Sequence, residues 1–141
     1  MARLFPLAGL LRLRHLQEEQ AASTLAAANS RLGESSVQAA RARTALGGTP
    51  TEATSTQTLY ALAATRASTR SMLADLEALR TEQQAEAQRA EQAFAEARAQ
   101  SIGLEKLHGR HTAAAAAEEL HTEQSVIDEL ASVAWHREHA R

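Results

Sequence analysis

The apolar positions in the first third of the chain recur at alternating steps of three and four: Leu4, Leu7, Leu11, then Ala21, Leu25, Ala28, Leu32, Ala39, Ala42 and Leu46. Such steps hold one stripe on one side of a helix, and a stripe this narrow is a coiled-coil seam rather than the broad face of a globular core. Arg14, Glu18 and Ser35 fall on the same stripe. Arg14 and Glu18 stand four apart, as an intrahelical ion pair would, so the interruption reads as a polar layer that fixes register. The pattern predicts a first helix over about 4–46, roughly 60 Å long at 1.5 Å per residue. A helix of that length does not belong to a compact ball. Gly33 is its weak point, costing about 1 kcal/mol relative to alanine.

Gly47-Gly48-Thr49-Pro50, followed by Thr51 to Thr56, predicts a turn over 47–56. The paired glycines suit a C-cap, Pro50 cannot continue a helix, and the Thr and Ser side chains compete for backbone hydrogen bonds. A second helix is predicted over about 57–138, on a looser seam of Leu59, Leu62, Thr69, Leu73, Leu76, Leu79, Gln83, Ala87, Ala90, Phe94 and Ala97. Gly103 and Gly109 mark a change of frame. Leu104 and Leu107 then lead into the alanines Ala113 to Ala117, after which Leu120, Ile127, Leu130 and Ala134 resume a stripe. Two long helices joined by a short loop return antiparallel. The expected architecture is all-α, a single domain over 1–141 built as an antiparallel coiled-coil hairpin. Its second helix is the longer, so one end should project beyond the pair. Trp135 is expected to close the last layer against Phe5 or Leu7, where the chain ends meet.

Composition agrees with a slender structure: only 3% of the 141 residues are aromatic, and alanine dominates the apolar share. Small side chains let two helices approach closely but build no thick core. The net charge of -2 comes from Arg and Glu alternating along the faces, so no basic groove marks a nucleic-acid partner. With no cysteine, disulfides and thiolate metal sites are excluded. The opening Met1 to Leu11 superficially resembles a signal peptide. Arg12 and Arg14 follow it directly and no small-x-small cleavage site ends it, so the expectation is a chain that is not secreted. The run is also too short to span a bilayer.

Candidate chemistry is sparse. Gly47-Gly48-Thr49 lacks the spacing and the lysine of a phosphate-cradling loop, so the chain is not expected to be an enzyme or to hydrolyse nucleotide itself. Glu105-x-x-His108 and Glu118-x-x-His121 have the carboxylate–histidine spacing of di-iron helix bundles. Both lie on one helix, thirteen residues apart, hence roughly 20 Å along its axis. They cannot share a metal centre within one chain, and no cofactor or small-molecule substrate is expected. The arginines Arg3, Arg12, Arg14, Arg137 and Arg141 would make the joined ends a cationic tip for an acidic partner.

Phe5-Pro6-Leu7, Leu10-Leu11, Leu13-Arg14 and Glu18 followed by alanines resemble the opening of the flagellar FliJ family. Leu104-Glu105-Lys106-Leu107, Arg110 and Glu123-Gln124-x-x-x-Asp128-Glu129-x-Ala131 resemble that family's C-terminal signature, with a similar tract between and a similar length overall. The resemblance implies a component of the flagellar type III export apparatus, a two-helix coiled coil similar to the stalk of rotary ATPases. Such a stalk enters the ring of the export ATPase and promotes its turnover. It also links the ring to an export-gate membrane protein and escorts export chaperones, at the cytoplasmic face of the membrane. The partner-binding residues this implies are Arg14, Glu18, Glu105, Lys106, Leu107, Arg110, Asp128 and Glu129, to which the cationic ends add Arg12 and Arg137. The alanine-rich body and the single Tyr60 near the turn depart from the family's pattern. Two rival readings are a plain coiled-coil scaffold without ATPase coupling and, in a different class, an iron-handling bundle enzyme.

Overall fold

The computed structural model describes residues 4–140, and their regular structure is entirely helical. Helix α1 spans Ala8–Gly47 and helix α2 spans Thr56–His139. Together they form an antiparallel helical hairpin. The first helix starts four residues later than its leucine pattern suggests. Pro6 lies in the turn that opens it, where the Ala8 amide donates to the Phe5 carbonyl at 3.1 Å. A proline fits the entry of a helix, because its missing N–H would be unpaired there in any case. Leu4 is consequently 92% exposed and outside the seam.

The chain divides into two compact units, Met1–Gln17 with Arg98–Arg141, and Glu18–Ala97. In the second of these the hydrogen bonds and ion pairs between α1 and α2 fix the antiparallel direction. Arg43 meets Glu77 at 2.9 Å, Ser35 donates to the Gln83 side chain, and Arg31 meets Glu86 at 2.6 Å. As one number falls, the other rises. The core between them is made of small side chains: Ala28 packs with Ala87 and Ala90, flanked by Leu25 and Leu32. Ala39 and Ala42 continue the buried line on α1. Buried Ser35 sits within it, and the Leu32 carbonyl at 3.1 Å shares the one proton of its hydroxyl with the Gln83 side chain. The polar layer is therefore satisfied from both helices, as a buried hydroxyl requires.

The turn is built differently from a glycine cap. Neither Gly47 nor Gly48 takes a positive φ. The end of α1 is held instead by the Gly48 amide on the Thr44 carbonyl at 2.9 Å and the Thr49 hydroxyl on the Ala45 carbonyl at 3.0 Å. The segment after it is pinned to α2 by Arg66, whose Nη2 donates to the carbonyls of Thr49 at 3.3 Å and Pro50 at 3.2 Å. Ser55 caps α2. Its Oγ accepts from the Thr58 amide at 3.2 Å, satisfying one of the donors a helix start leaves open. Ser55→Ala should cost about 1 kcal/mol, read as a lower midpoint of thermal unfolding by circular dichroism, whereas Ser55→Asp should cost little.

Helix α2 runs unbroken through Gly103 and Gly109. Beyond Ala97 its inward positions continue as buried Ser101 and Leu104, at the same alternating steps. The two glycines thus cause no change of frame.

Candidate functional site

Most of the candidate residues lie in the unit formed by Met1–Gln17 and Arg98–Arg141. Its paired part is held by polar contacts across the two helices. Arg14 Nη1 donates to the side-chain oxygens of Gln17 at 2.9 Å and Gln100 at 2.6 Å. His15 Nε2 meets Glu105 at 2.9 Å, and Arg98 approaches the same Glu105 oxygen at 4.0 Å. Arg14 and Glu105 are thus structural contacts of the pair as well as candidates for partner binding. All of these side chains are exposed enough for solvent to screen them, so each contact contributes little stability and acts mainly on alignment.

Of the other candidates, Glu18 lies half-buried on α1 in the neighbouring unit, while Arg12, Lys106, Leu107 and Arg110 are exposed. Asp128 accepts from the Gln124 side chain at 3.0 Å, one turn earlier on the same helix. Glu129 and Arg137 are exposed further along.

The expected closing layer at the chain ends is not formed. Phe5 packs edge-on against His108, with ring centroids 5.0 Å apart, and against His111 at 5.5 Å. Trp135 lies well beyond, stacked on His139 at 4.3 Å and edge-on to His136 at 5.1 Å. The reason is length: α1 has 40 residues and α2 has 84, so the pairing ends near His111, which meets Phe5 just before the start of α1. Every residue from Ala116 to Ala140 is exposed. Leu120, Val126, Ile127, Leu130, Val133 and Trp135 lie on this unpaired helix, with Leu120 67% and Ile127 59% accessible.

The same geometry breaks up the expected cationic tip. Arg14 sits opposite Gln100, and Arg137 is 37 residues further along α2, roughly 55 Å at 1.5 Å per residue. Arg3 and Arg141 lie outside the described residues. The unpaired helix is in fact acidic, carrying Glu118, Glu119, Glu123, Asp128, Glu129 and Glu138 against Arg137. Its charge can be read from the sequence once the end of pairing is known. That end follows from counting α1 back along α2 rather than from any local motif.

Comparison with known families decides the identity. Residues 3–140 match the family described as flagellar FliJ protein. The chain belongs to the FliJ family. It is thereby an export-related coiled-coil protein of the flagellum, of a family associated with the export apparatus rather than known for catalysis. No curated protein and no solved structure matches it. Among the described residues, no helix is long and apolar enough to cross a membrane.

Proposed function

We propose that this FliJ-family chain is a non-enzymatic coupling element that enters the export ATPase ring, raises its turnover and connects it to the membrane export gate. In this reading it works at the cytoplasmic face of the flagellar base and also escorts export chaperones. The observation that carries it is the unpaired stretch of α2 from Ala116 to His139, a single helix with exposed leucine, isoleucine and valine. A lone helix is about 10–12 Å across with its side chains, narrow enough for a ring's channel. An apolar stripe on such a helix gains free energy only by finding a cover.

The acidic character of this stretch sets the electrostatics. Long-range attraction would draw it to a basic lining, and apolar contacts would then hold it. Tyr60, Met72 and Leu79, exposed on α2 in the other unit, supply separate apolar ground for the gate protein or chaperones. The test is ATP turnover by the purified export ATPase from the same source, with and without this chain, across a salt series. Turnover should rise on addition of the chain, and the rise should shrink as salt screens the encounter. Unchanged turnover with no complex at low salt would leave the plain scaffold.

A further inference from the structure

We propose that a second copy of this chain packs antiparallel on α2 between Ile102 and Ile127, about a two-fold axis passing between Ala113 and Ala116. The proposal stands apart from the ATPase reading, since it concerns the chain with no other protein present. It begins from a second heptad pattern on α2. Lys106, Ala113, Leu120 and Ile127 follow one another at steps of seven, and so do Ile102, Gly109, Ala116 and Glu123, the two series interleaved by three and four. At 3.6 residues per turn this stripe lies about a third of a turn round the helix from Ser101 and Leu104, which face α1. Apart from half-buried Ile102, every residue of the stripe is exposed.

An antiparallel copy sets each position of one series against a position of the other. Ala113 then faces the second copy's Ala116, Leu120 faces its Gly109, Ile127 faces its Ile102, and Lys106 faces its Glu123, with each contact repeated by symmetry. The alanines at the axis allow close approach. Gly109 leaves room for Leu120, because nothing in the chain lies within 4 Å of where a Cβ would stand. The lysine–glutamate layer supplies the charge match, and it agrees with a wider one: before the axis Lys106 and Arg110 outweigh Glu105, while Glu118, Glu119 and Glu123 follow it. A parallel copy would instead place Glu123 on Glu123 and Lys106 on Lys106, which like charges oppose. The antiparallel arrangement is closed and self-complementary, so it stops at two chains.

Sedimentation of the full chain over a concentration series tests this, with a reversible dimer as the expected species. Gly109→Leu should abolish the dimer. Gly109 is exposed, a Cβ there meets nothing within 4 Å in its own chain, and leucine favours helix over glycine, so the helical content and unfolding midpoint of the monomer should be retained or raised. Lys106→Glu or Glu123→Lys alone should weaken dimerisation roughly tenfold, and the two together should restore it. Because the chain has no cysteine, Ala113→Cys and Ala116→Cys report the alignment directly. The two variants mixed should form a disulfide-linked dimer, and neither should do so alone. A monomer at every concentration, a Gly109→Leu dimer as tight as the parent, or efficient self-linking of Ala113→Cys would each overturn the proposal.

Discussion

Aspartate in place of Ala28 is expected to destabilise the paired helices by about 3–5 kcal/mol, the scale set by an uncompensated buried charge. Ala28 is 1% exposed and packs on Ala87 and Ala90, so no polar group of that core cluster could accompany the carboxylate out of water. The loss is a large share of the roughly 5–15 kcal/mol that holds a typical domain together. Ala27, one residue earlier, is exposed and supplies the control. Aspartate there costs only helix propensity, up to about 0.7 kcal/mol. Urea unfolding followed by helical circular dichroism checks both. Equal shifts in midpoint at the two positions would mean that the alanine seam does not hold the helices together. Leucine at position 28 should fall between them, at about 1–3 kcal/mol, because the close approach of two alanine-lined helices leaves no volume for it.

The seam of α1 was legible because it is periodic and because small residues leave few alternatives. From Leu11 to Leu46 every residue assigned to it is buried or half-buried, including Arg14, Glu18 and Ser35. On α2 the same reading failed at Leu59 and Leu79, both of which face solvent. Leu59 keeps the heptad phase but sits in the first turn of α2, past the level at which Arg66 meets Thr49 and Pro50, so no residue of α1 covers it. At Leu79 stepping through leucines drifts away from the heptad: Leu76 and Gln83 keep the true phase, and Leu79 lies one residue out of it. Counting back by sevens from Leu73 lands on Arg66, which hydropathy would never select. Its role is instead to reach the Thr49 and Pro50 carbonyls. The contacts at the ends were hidden for a different reason. Periodicity gives the face of each helix, but the register between two helices depends on the path of the loop and on their relative lengths. Phe5 therefore meets His108 and His111 rather than Trp135, and Arg14 and Arg137 stand apart. The end of α2, expected to be part of a cationic tip, is acidic once that register is fixed.

Deleting Leu120–Arg141 is expected to abolish most of the stimulation of the export ATPase while leaving the unfolding of the paired helices almost unchanged. The two halves of this expectation share one cause. Residues 120–140 are all exposed and pack against no part of α1, so their removal takes away no buried area and should alter stability by no more than about 0.5 kcal/mol at concentrations where the chain is monomeric. Its exposed apolar side chains are, in the proposed function, the contacts made inside the ring. Leu130→Asp with Val133→Asp sharpens the test, since both residues are exposed and both lie outside the 102–127 stripe assigned to a second copy. That pair should reduce stimulation severalfold and leave dimerisation intact, whereas Gly109→Leu should do the reverse. Aspartate is chosen over alanine because, at positions that make the apolar contacts rather than the long-range attraction, it buries an unpaired charge, a cost that alanine would not impose. The measurement is ATP turnover at saturating ring concentration, beside thermal unfolding of the same samples. A truncated chain that stimulates as well as the full one would move the ring contact to the paired part of the unit, onto Arg12, Lys106, Leu107 and Arg110.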